Sequence, residues 1–335
     1  MKNNTISIHT SVQQALAILE DLNFPLFVLS DDEKLVGTLT DGDVRRGIMG
    51  GKSLDDTVEA FMHRSFRSVM EGEVDVEFLK ACRDKHIFII PVLDSFGRLK
   101  DVINLKEKKS LLPVDAVLMA GGKGERLRPL TETTPKPLLK VGGKAIIDHN
   151  IDQLKSYGVA QCYVTVNYLA DKMIEHFVGV EGVTCVREPE YLGTIGSLRF
   201  VQDLSDEILV LNSDIYTHLD YEAFYLHFRH SGADMCIATV PYDVSIPYGI
   251  MDFRNGLVKG IKEKPVFNYY ANAGIYLIKK SAMSLIPEGK VFDATDLVNA
   301  LAANGGKVVH FPINGIWIDI GSFEEYQKAC ELAGR

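Results

Sequence analysis

The sequence predicts an α/β protein with two domains, a smaller one over residues 1–110 and a larger one over residues 113–335. Three observations predict this class. Beyond residue 113, apolar strands without polar alternation are separated by amphipathic helices, as in mostly parallel sheets covered on both faces. The first 110 residues contain a degenerate repeat, and the charged stretch "LKEKKSLLPVD" separates the two regions. A chain of 335 residues is also long for one domain.

The composition argues against several classes of protein. With 46% hydrophobic and 24% charged residues the chain is ordinary for a globular protein, and its formal net charge of -9 disfavours general nucleic-acid binding. The N-terminus lacks the pattern of a secretory signal, and no apolar run reaches the roughly 18 residues of a membrane span. The five scattered cysteines form no CxxC pair, which argues against a disulfide framework or a zinc site. We therefore expect a cytoplasmic protein that binds no membrane.

The two copies of the repeat in the smaller region align without gaps. The stretch "LFVLSDDEKLVGTLT" (26–40) aligns on "IPVLDSFGRLKDVIN" (90–104). In each copy an amphipathic helical stretch, "SVQQALAILEDL" or "EVDVEFLKACRDK", precedes a strand, a polar turn and a second strand. Because a unit this short cannot bury its apolar face alone, we expect the two copies to pack on one another.

The first copy resembles a known motif. "FPLFVLSDDEKLVGTLTDGDVRRGI" is similar to a CBS motif, and residues 1–110 resemble a CBS pair. The resemblance implies an adenine or guanine nucleotide in the cleft between the copies, with its ribose bound by Thr40 and Asp43. The second copy has Asp101, Asn104 and Glu107 at the matching positions, so at most one ribose site is expected. A pair that serves only for dimerisation remains the alternative.

The larger region alternates between strands and helices. Apolar runs predict strands at 114–119, "CYVTVN", "VTCVRE", "EILVLNSD" and "ADMCIATV", and amphipathic patterns predict helices at "AIIDHNIDQLKSYG", "ADKMIEHFV", "TIGSLRFVQ" and "YEAFYLHFRHSG". Ligands of such sheets bind beyond the carboxyl ends of the strands. A glycine-rich turn follows the first of these strands and Asp214 ends another, so both lie where a site is expected.

The glycine-rich turn, "LMAGGKGERLRPLTETTPKPLL" (118–139), has the chemistry of an anion site. Gly121, Gly122 and Gly124 let backbone N–H groups point at phosphate oxygens without a Cβ in the way. Arg126 offers a planar fork to a pyrophosphate, and Lys136 offers a mobile point charge from a Pro-Lys-Pro segment. The spacing matches neither a P-loop nor GxGxxG. We predict that polyphosphate binds here.

The same stretch resembles the signature of the sugar-1-phosphate nucleotidyltransferases, and further motifs follow in that family's order. They are "YLGTIGSL", "LVLNSDIY", "YGI", "KEKP", "NAGIYLI" and "WIDIGS". The resemblance implies a Rossmann-like, GT-A-like nucleotidyltransferase fold with a mostly parallel sheet. Three positions depart from the common pattern: Glu125 replaces a small hydroxyl residue, Ser213 a glycine, and Ser322 a threonine.

The resemblance also implies roles for particular residues. Catalytic roles fall to Arg126 on the β,γ-phosphates, Lys136 on the phosphates near the reacting centre, the metal ligand Asp214, and Lys264 on the sugar phosphate. Mg²⁺ would be held by Asp214 and Asp319, since it prefers carboxylate and phosphate oxygens. The implied nucleotide-binding residues are Ala120, Gly121, Gly122, Gly124, Arg126, Gly193 and Thr194. The implied sugar-binding residues are Tyr248, Gly249, Glu263, Lys264, Asn272 and Gly274.

The implied reaction joins an NTP to a sugar-1-phosphate and releases pyrophosphate. A CBS pair ahead of a short transferase domain resembles glucosamine-1-phosphate guanylyltransferases of legionaminic acid biosynthesis, which implies GTP and glucosamine-1-phosphate as substrates. Mannose-1-phosphate guanylyltransferase or another hexose-1-phosphate nucleotidyltransferase is the alternative. An alternative of another class is a non-catalytic, nucleotide-sensing regulatory subunit. We expect a homo-oligomer, and no C-terminal β-helix with a fused acetyltransferase activity.

Overall fold

The computed structural model of the protein describes residues 4–22 and 24–334. The chain divides into two compact units, Met1–Leu111 and Leu112–Arg335. Within the described ranges, no helix is both long enough and apolar enough to span a bilayer.

The first unit contains two three-stranded sheets with the same topology. Its strands are β1 (Thr5–Ser7), β2 (Leu26–Leu29), β3 (Leu35–Leu39), β4 (Val69–Met70), β5 (Ile89–Leu93) and β6 (Leu99–Asn104), and its helices are α1 (Val12–Asp21), α2 (Asp41–Met49) and α3 (Val76–Asp84). In each sheet the short first strand pairs parallel with the second, and the second pairs antiparallel with the third. This is the arrangement that the sequence repeat predicts.

Local signals in the sequence begin the helices of the first unit. Ser11 caps α1 in a capping box with Gln14, and Thr40 caps α2 in another with Asp43. Each copy buries its own apolar cluster, and a third cluster that includes Phe27, Leu35 and Leu93 joins the two copies. The copies therefore share a core, as expected for units too short to be stable alone.

The second unit is built on a seven-stranded sheet. Its strands are β7 (Asp115–Ala120), β8 (Lys140–Val141), β9 (Lys144–Ala145), β10 (Cys162–Val166), β11 (Val183–Arg187), β12 (Glu207–Asn212), β13 (Ile215–Thr217), β14 (Met235–Ser245), β15 (Ile250–Arg254), β16 (Leu257–Lys262), β17 (Val266–Lys279), β18 (Val308–Pro312) and β19 (Trp317–Asp319). Its helices are α4 (Ile146–Ser156), α5 (Ala170–His176), α6 (Gly193–Gly196), α7 (Tyr221–Ser231), α8 (Ala294–Ala303) and α9 (Phe323–Ala333).

The strand order of the large sheet is β11-β10-β7-β12-β17-β14-β18. All neighbours are parallel except for β17, which runs antiparallel to both β12 and β14. A mostly parallel α/β sheet is the predicted class, and it is confirmed. The carboxyl ends of β7, β10, β11 and β12 therefore share one edge, where the register pairs Ala120 with Val166 and Met119 with Asn212.

One predicted helix is much shorter in the structure. The stretch "TIGSLRFVQ" begins with the four-residue α6 and continues as a 3-10 turn over Ser197–Phe200. Gly193 lies in the left-handed region at φ 81°, and the backbone N–H groups of Ile195 and Gly196 donate to the carbonyl of Phe292. Tight docking on the segment before α8 thus decides this conformation, rather than helical periodicity.

An exposed arm (residues 241–270) extends from the sheet. It consists of the distal halves of β14 and β17 together with the β15–β16 hairpin, and every residue of β16 is exposed. Large hydrophobic side chains on the arm lie open to solvent: Tyr242, Val244, Tyr248, Met251, Phe253, Leu257, Val258, Ile261, Val266, Tyr269 and Tyr270. So much exposed apolar surface is unusual for an isolated monomer.

Candidate active site

A cavity of about 450 Å³ opens at the carboxyl edge of the large sheet. Its walls are the glycine-rich turn after β7, the segment after β11, the end of β12 and the loop before α9. The predicted nucleotide-binding residues line it without exception: Ala120, Gly121, Gly122, Gly124, Arg126, Gly193 and Thr194. Lys136 and Asp214 line it as well.

The glycine-rich turn makes close approaches at both of its ends. A Cβ on Gly121 would lie 2.8 Å from the Oε1 atom of Glu188, and a Cβ on Gly124 would lie 3.1 Å from the Cβ of Lys136. Gly124 also has φ 62°, which L side chains rarely adopt. Thr131 fixes the turn by donating its hydroxyl to the Gly124 carbonyl at 2.8 Å. The turn therefore joins the Glu188 side of the cavity to the Lys136 side.

The two predicted phosphate-binding cations lie on the Gly124 side. The Arg126 guanidinium packs against Gly321, where a Cβ would lie 3.2 Å from either terminal nitrogen. Among the described residues, Arg126 has no ion-pair partner. Lys136 sits in a 3-10 turn begun by Pro135, is only 9% exposed, and forms an ion pair with the carboxylate of Asp214. Positive charge is therefore concentrated at one end of the cavity.

The two predicted metal ligands lie next to each other. Strands β13 and β19 pair antiparallel with Ile215 opposite Asp319, and the N–H of Ile320 donates to the carbonyl of Asp214 at 3.2 Å. Burial, and next the charge of Asp214, raise the pKa of Asp319, while Lys136 lowers it. The two carboxylates, which are 105 positions apart in the sequence, therefore interact electrostatically.

These carboxylates fit a magnesium ion. Mg²⁺ is commonly bound through one or two carboxylates, with the remaining positions taken by water and substrate phosphates. In the part of the chain that the structure describes, no cluster of three or more His, Cys, Asp or Glu side chains could hold a metal. A site made by Asp214 and Asp319 would therefore need phosphate oxygens to complete it.

A smaller cavity of about 100 Å³ is lined by Asn212 and Asp319. The predicted sugar-binding residues Asn272 and Gly274 line it, together with Tyr276 and Trp317. Asn272 donates to the hydroxyl of Tyr276 at 2.8 Å and accepts from the N–H of Gly274 at 2.9 Å. Asn212 lines both cavities. The charges of Lys136 and Asp214, which line the large cavity, shift the pKa of Asp319, which lines the small one. The two cavities therefore adjoin at the carboxylates of Asp214 and Asp319.

The other predicted sugar-binding residues lie elsewhere. Tyr248, Gly249, Glu263 and Lys264 are on the arm, where a Cβ on Gly249 would lie 2.9 Å from an oxygen of Glu263. Among the described residues that line the two cavities, none belongs to this group, and Tyr248 is 74% exposed. The structure brings these four residues together but does not bring them to Asn272. Their sugar contacts stay a prediction.

The departures from the family pattern have visible local roles. Ser213 donates its hydroxyl to the carbonyl of Met119 at 2.7 Å and so ties the ends of β12 and β7 together. Ser322 caps α9 through the N–H of Glu325. Glu125 is exposed at the mouth of the cavity, 3.9 Å from Arg128.

Sequence reasoning missed several residues of the large cavity, above all Glu188. Glu188 follows β11, is 4% exposed, and has an Oε2 atom without a hydrogen-bond partner among the described residues. Burial raises its pKa, and a hydrogen bond with Thr165 lowers it in part. Its place at the end of the predicted strand "VTCVRE" is a signal in the sequence, because ligands of parallel sheets bind beyond the carboxyl ends of the strands. Asp293 was also missed, and it accepts from the Thr194 N–H at 2.8 Å.

The first unit has a cavity of its own, of about 490 Å³. The predicted ligand residues Thr40 and Asp43 line it. They are bonded to each other, since the Thr40 hydroxyl donates to Asp43 at 2.6 Å and the capping box uses both side chains. Basic side chains surround them: Arg46, His63, Arg67, His86 and Lys106.

Comparison with known protein families shows which family the chain belongs to. The family model described as nucleotidyl transferase matches residues 115–334. The chain belongs to this family. A CBS domain model matches residues 2–50, which cover the first copy of the repeat. The predicted family, its fold class and the CBS domain at the N-terminus are therefore confirmed.

Relatives and solved structures of this nucleotidyl transferase family give the same picture. Mannose-1-phosphate guanylyltransferase 1 of Arabidopsis thaliana is 31% identical over 231 residues, which are 65% of this chain and 64% of that protein. The bifunctional protein GlmU of Methanocaldococcus jannaschii is 32% identical over 216 residues, 62% of this chain and 51% of that protein. The chain thus spans less than two thirds of the length of these relatives. The crystal structure of HddC from Yersinia pseudotuberculosis superposes on 65% of this chain and 99% of HddC, with a TM-score of 0.51 and 29% identity.

Proposed function

We propose that the protein transfers a nucleotidyl group from an NTP to a sugar-1-phosphate and releases pyrophosphate. The observation that carries the proposal is the meeting of Arg126, Lys136, Asp214 and Asp319 beside a glycine-rich turn. This arrangement offers cations and N–H groups to a polyphosphate and a pair of carboxylates to a metal ion. Nucleotidyl transfer needs these groups because it brings two polyanions together.

In the proposed mechanism the side chains hold and neutralise charge rather than move protons. A sugar phosphate is already an anion at neutral pH, so its oxygen attacks the α-phosphorus without a general base. Arg126 binds the β,γ-phosphates and so stabilises the leaving pyrophosphate. Lys136 leaves Asp214 to bind the phosphate at the reacting centre. When bound by Asp214 and Asp319, Mg²⁺ supplies further charge neutralisation.

We further propose GTP as the nucleotide and glucosamine-1-phosphate as the sugar, with mannose-1-phosphate as the alternative. Relatives named mannose-1-phosphate guanylyltransferases support the guanine base, as does HddC, which has been solved in complex with GMP-PN. The glucosamine sugar rests on the domain arrangement alone. A cytoplasmic location stays a prediction.

The test of this function is a matrix of the four NTPs against glucosamine-, N-acetylglucosamine-, glucose- and mannose-1-phosphate, with Mg²⁺ present. Pyrophosphate release and the nucleotide sugar formed are both measured. We expect product with GTP and one hexose-1-phosphate. Nucleotide binding without pyrophosphate release in any combination would favour the non-catalytic regulatory subunit instead.

We also propose that the CBS unit binds an adenine or guanine nucleotide. Its cavity combines the basic side chains with Phe66 and Phe88, so it can hold a phosphate and pack against a base. Titration of AMP, ADP, ATP and GTP into the full chain and into an Arg67→Ala variant, by calorimetry, tests this. Heats that are the same in both proteins would leave the unit a role in dimerisation only.

We propose that copies of the protein associate with one another through the surface of the arm. At about 100 Å² of exposed area each, eleven large hydrophobic side chains present roughly 1,000 Å². A standard interface needs about 800 Å² from each partner. Light scattering of the wild type and of Phe253→Asp should show a dimer or larger assembly that the variant weakens. Val178→Asp, an exposed site off the arm, is the control.

A further inference from the structure

The connection between β10 and α5 lies next to the glycine-rich turn but has no role in the proposed mechanism. Strand β10 is the neighbour of β7 in the sheet, with Val166 opposite Ala120, so the two strands end at the same edge. In this connection Leu169 lies in the left-handed region, at φ 50° and ψ 36°. That conformation is unfavourable for a residue with a Cβ, and it persists only where the surrounding structure fixes it. The contacts of the connection therefore point to a function.

The 121–139 segment, which begins with the glycine-rich turn, has little regular structure of its own. Its regular elements are two 3-10 turns of three residues each, Glu125–Leu127 and Lys136–Leu138. Such short turns satisfy few backbone groups, so the segment depends on hydrogen bonds from elsewhere in the molecule. Both phosphate-binding cations, Arg126 and Lys136, belong to this segment, and their positions depend on the same hydrogen bonds.

Tyr168 binds the 121–139 segment at two places. Its N–H donates to the carbonyl of Gly121 at 3.4 Å. Its hydroxyl lies 3.2 Å from the carbonyl of Thr131 and 3.3 Å from that of Glu132, and these two acceptors share its one proton. Thr131 is only 1% exposed, so water has little access to replace the tyrosine there.

Thr131 connects Tyr168 to the phosphate-binding end of the cavity. The Thr131 hydroxyl donates to the carbonyl of Gly124 at 2.8 Å. A Cβ on Gly124 would lie 3.0 Å from Cγ2 of Thr131 and 3.1 Å from the Cβ of Lys136, so these three residues pack tightly together. A displacement of Thr131 would therefore move both the turn and Lys136.

Lys172, in the first turn of α5, binds the same segment further along the chain. Its ammonium group donates to the carbonyl of Thr133, three residues before Lys136. We propose that Tyr168 and Lys172 are positioning residues, which hold the 121–139 segment so that Arg126 and Lys136 meet the triphosphate without reorganising. Preorganisation of this kind raises affinity, because less conformational freedom is lost on binding. The inference rests on the proposed function, which places an NTP in the cavity.

The principal test compares Tyr168→Phe with Tyr326→Phe. The first variant loses only the hydroxyl that binds Thr131. The second is the matched control, because the Tyr326 hydroxyl also donates to a backbone carbonyl, that of Lys140 at 2.8 Å, outside the 121–139 segment.

Lys172→Met is the second variant, and it has a matched control of its own. In Lys155→Met a lysine that donates to the carbonyl of Glu181 at 2.6 Å is replaced in the same way. The change of charge is the same in the two lysine variants, so a difference between them reports the contact with Thr133.

The affinities for GTP and GMP are measured with the full chain, with Mg²⁺ present and no sugar phosphate, so that no turnover is needed. The only tryptophan in the sequence, Trp317, lines the smaller cavity of the second unit, and its fluorescence reports binding there rather than in the first unit. Hydrogen exchange of peptides from the 121–139 segment, followed by mass spectrometry, measures the mobility of the segment itself.

We expect Tyr168→Phe to lower the affinity for GTP about 5- to 10-fold, the effect of one hydrogen bond that preorganises a site. The affinity for GMP, which lacks the β,γ-phosphates, should stay nearly unchanged. Lys172→Met should act in the same direction with a smaller effect, because this lysine is exposed. Exchange in the 121–139 peptides should rise in both variants and in neither control.

A tyrosine with a structural role alone would lower the melting temperature without changing the ratio of GTP to GMP affinity. An unchanged ratio in Tyr168→Phe, equal losses for both nucleotides, or the same change in Tyr326→Phe would each overturn the inference. Thermal melts show that each variant is folded. The proposed function fails in a different way, since a wild type that binds GTP but releases no pyrophosphate with any sugar phosphate would refute the transferase proposal alone.

Discussion

The ion pair between Lys136 and Asp214 leads to a prediction that runs against intuition. In the structure the lysine neutralises the oxygen that a metal ion would need, and the two side chains are only 11% and 24% exposed. Replacing this lysine by methionine removes a positive charge next to the site. We therefore expect Lys136→Met to bind a divalent cation more tightly than the wild type when no nucleotide is present.

The magnitude follows from Coulomb's law. Two unit charges about 4 Å apart interact with roughly 4 kcal/mol at an effective dielectric constant of about 20. Partial exposure and relaxation of the lysine reduce this to about 1.5–3 kcal/mol, which corresponds to about 10- to 100-fold in affinity. Nucleotide binding should respond in the opposite direction and weaken, because Lys136 is then missing from the phosphates.

The assay is titration with Mn²⁺, followed by the electron paramagnetic resonance signal of the free ion, without nucleotide and then with GTP. Lys140→Met is the matched control, since Lys140 is exposed in the same segment and should leave the affinity unchanged. An Mn²⁺ affinity of Lys136→Met that is equal to or weaker than that of the wild type would contradict this prediction. The lysine would then not compete for the metal site.

Three further predictions concern activity, backbone conformation and pH. Asp214→Asn should lower the rate of pyrophosphate release by at least about 100-fold with an unchanged circular dichroism spectrum, and near-normal turnover would remove it from the metal site. Gly193→Ala should lower the melting temperature by several degrees, because φ is 81° and a Cβ would lie 2.8 Å from Asp293; an unchanged melt would contradict the geometry. Burial raises the pKa of both Cys162 and Cys236 to about 12 from 9.0. A thiol whose pKa is raised in the folded state contributes its full stabilisation below the unfolded pKa and loses it as the pH rises through the folded pKa. Urea denaturation should therefore show stability falling from about pH 9 towards pH 12, and a flat profile would contradict this.

The strand ends were the most predictable part of the fold. Parallel strands that begin at one edge of a sheet finish at the other, so the turn after β7 and Asp214 after β12 could be placed on the same side from hydrophobic pattern alone. Helix starts also depend on local signals, since the side chains of Ser11 and Asp220 accept hydrogen bonds from backbone N–H groups in the first turns of α1 and α7.

Other features depend on packing that no local pattern reveals. The pairing of β13 with β19 brings Asp214 beside Asp319 through strands of three residues each, too short to show periodicity. Their association was expected from family resemblance only. The strand end at Glu188 can be read from the sequence, but the burial of its side chain cannot, because that depends on the packing of the sheet against the glycine-rich turn. The exposure of Tyr248 on the arm likewise depends on how far β14 and β17 run beyond the sheet.

The central claim is that a glycine-rich turn, two cations and two acids clamp a triphosphate around a metal ion. The most direct measurement is an anomalous-difference map from crystals grown with Mn²⁺ and a non-hydrolysable GTP analogue. We expect one manganese peak shared by Asp214 and Asp319, with the phosphates along Gly121–Gly124. Manganese bound away from those two acids, or a nucleotide bound outside this cavity, would contradict it.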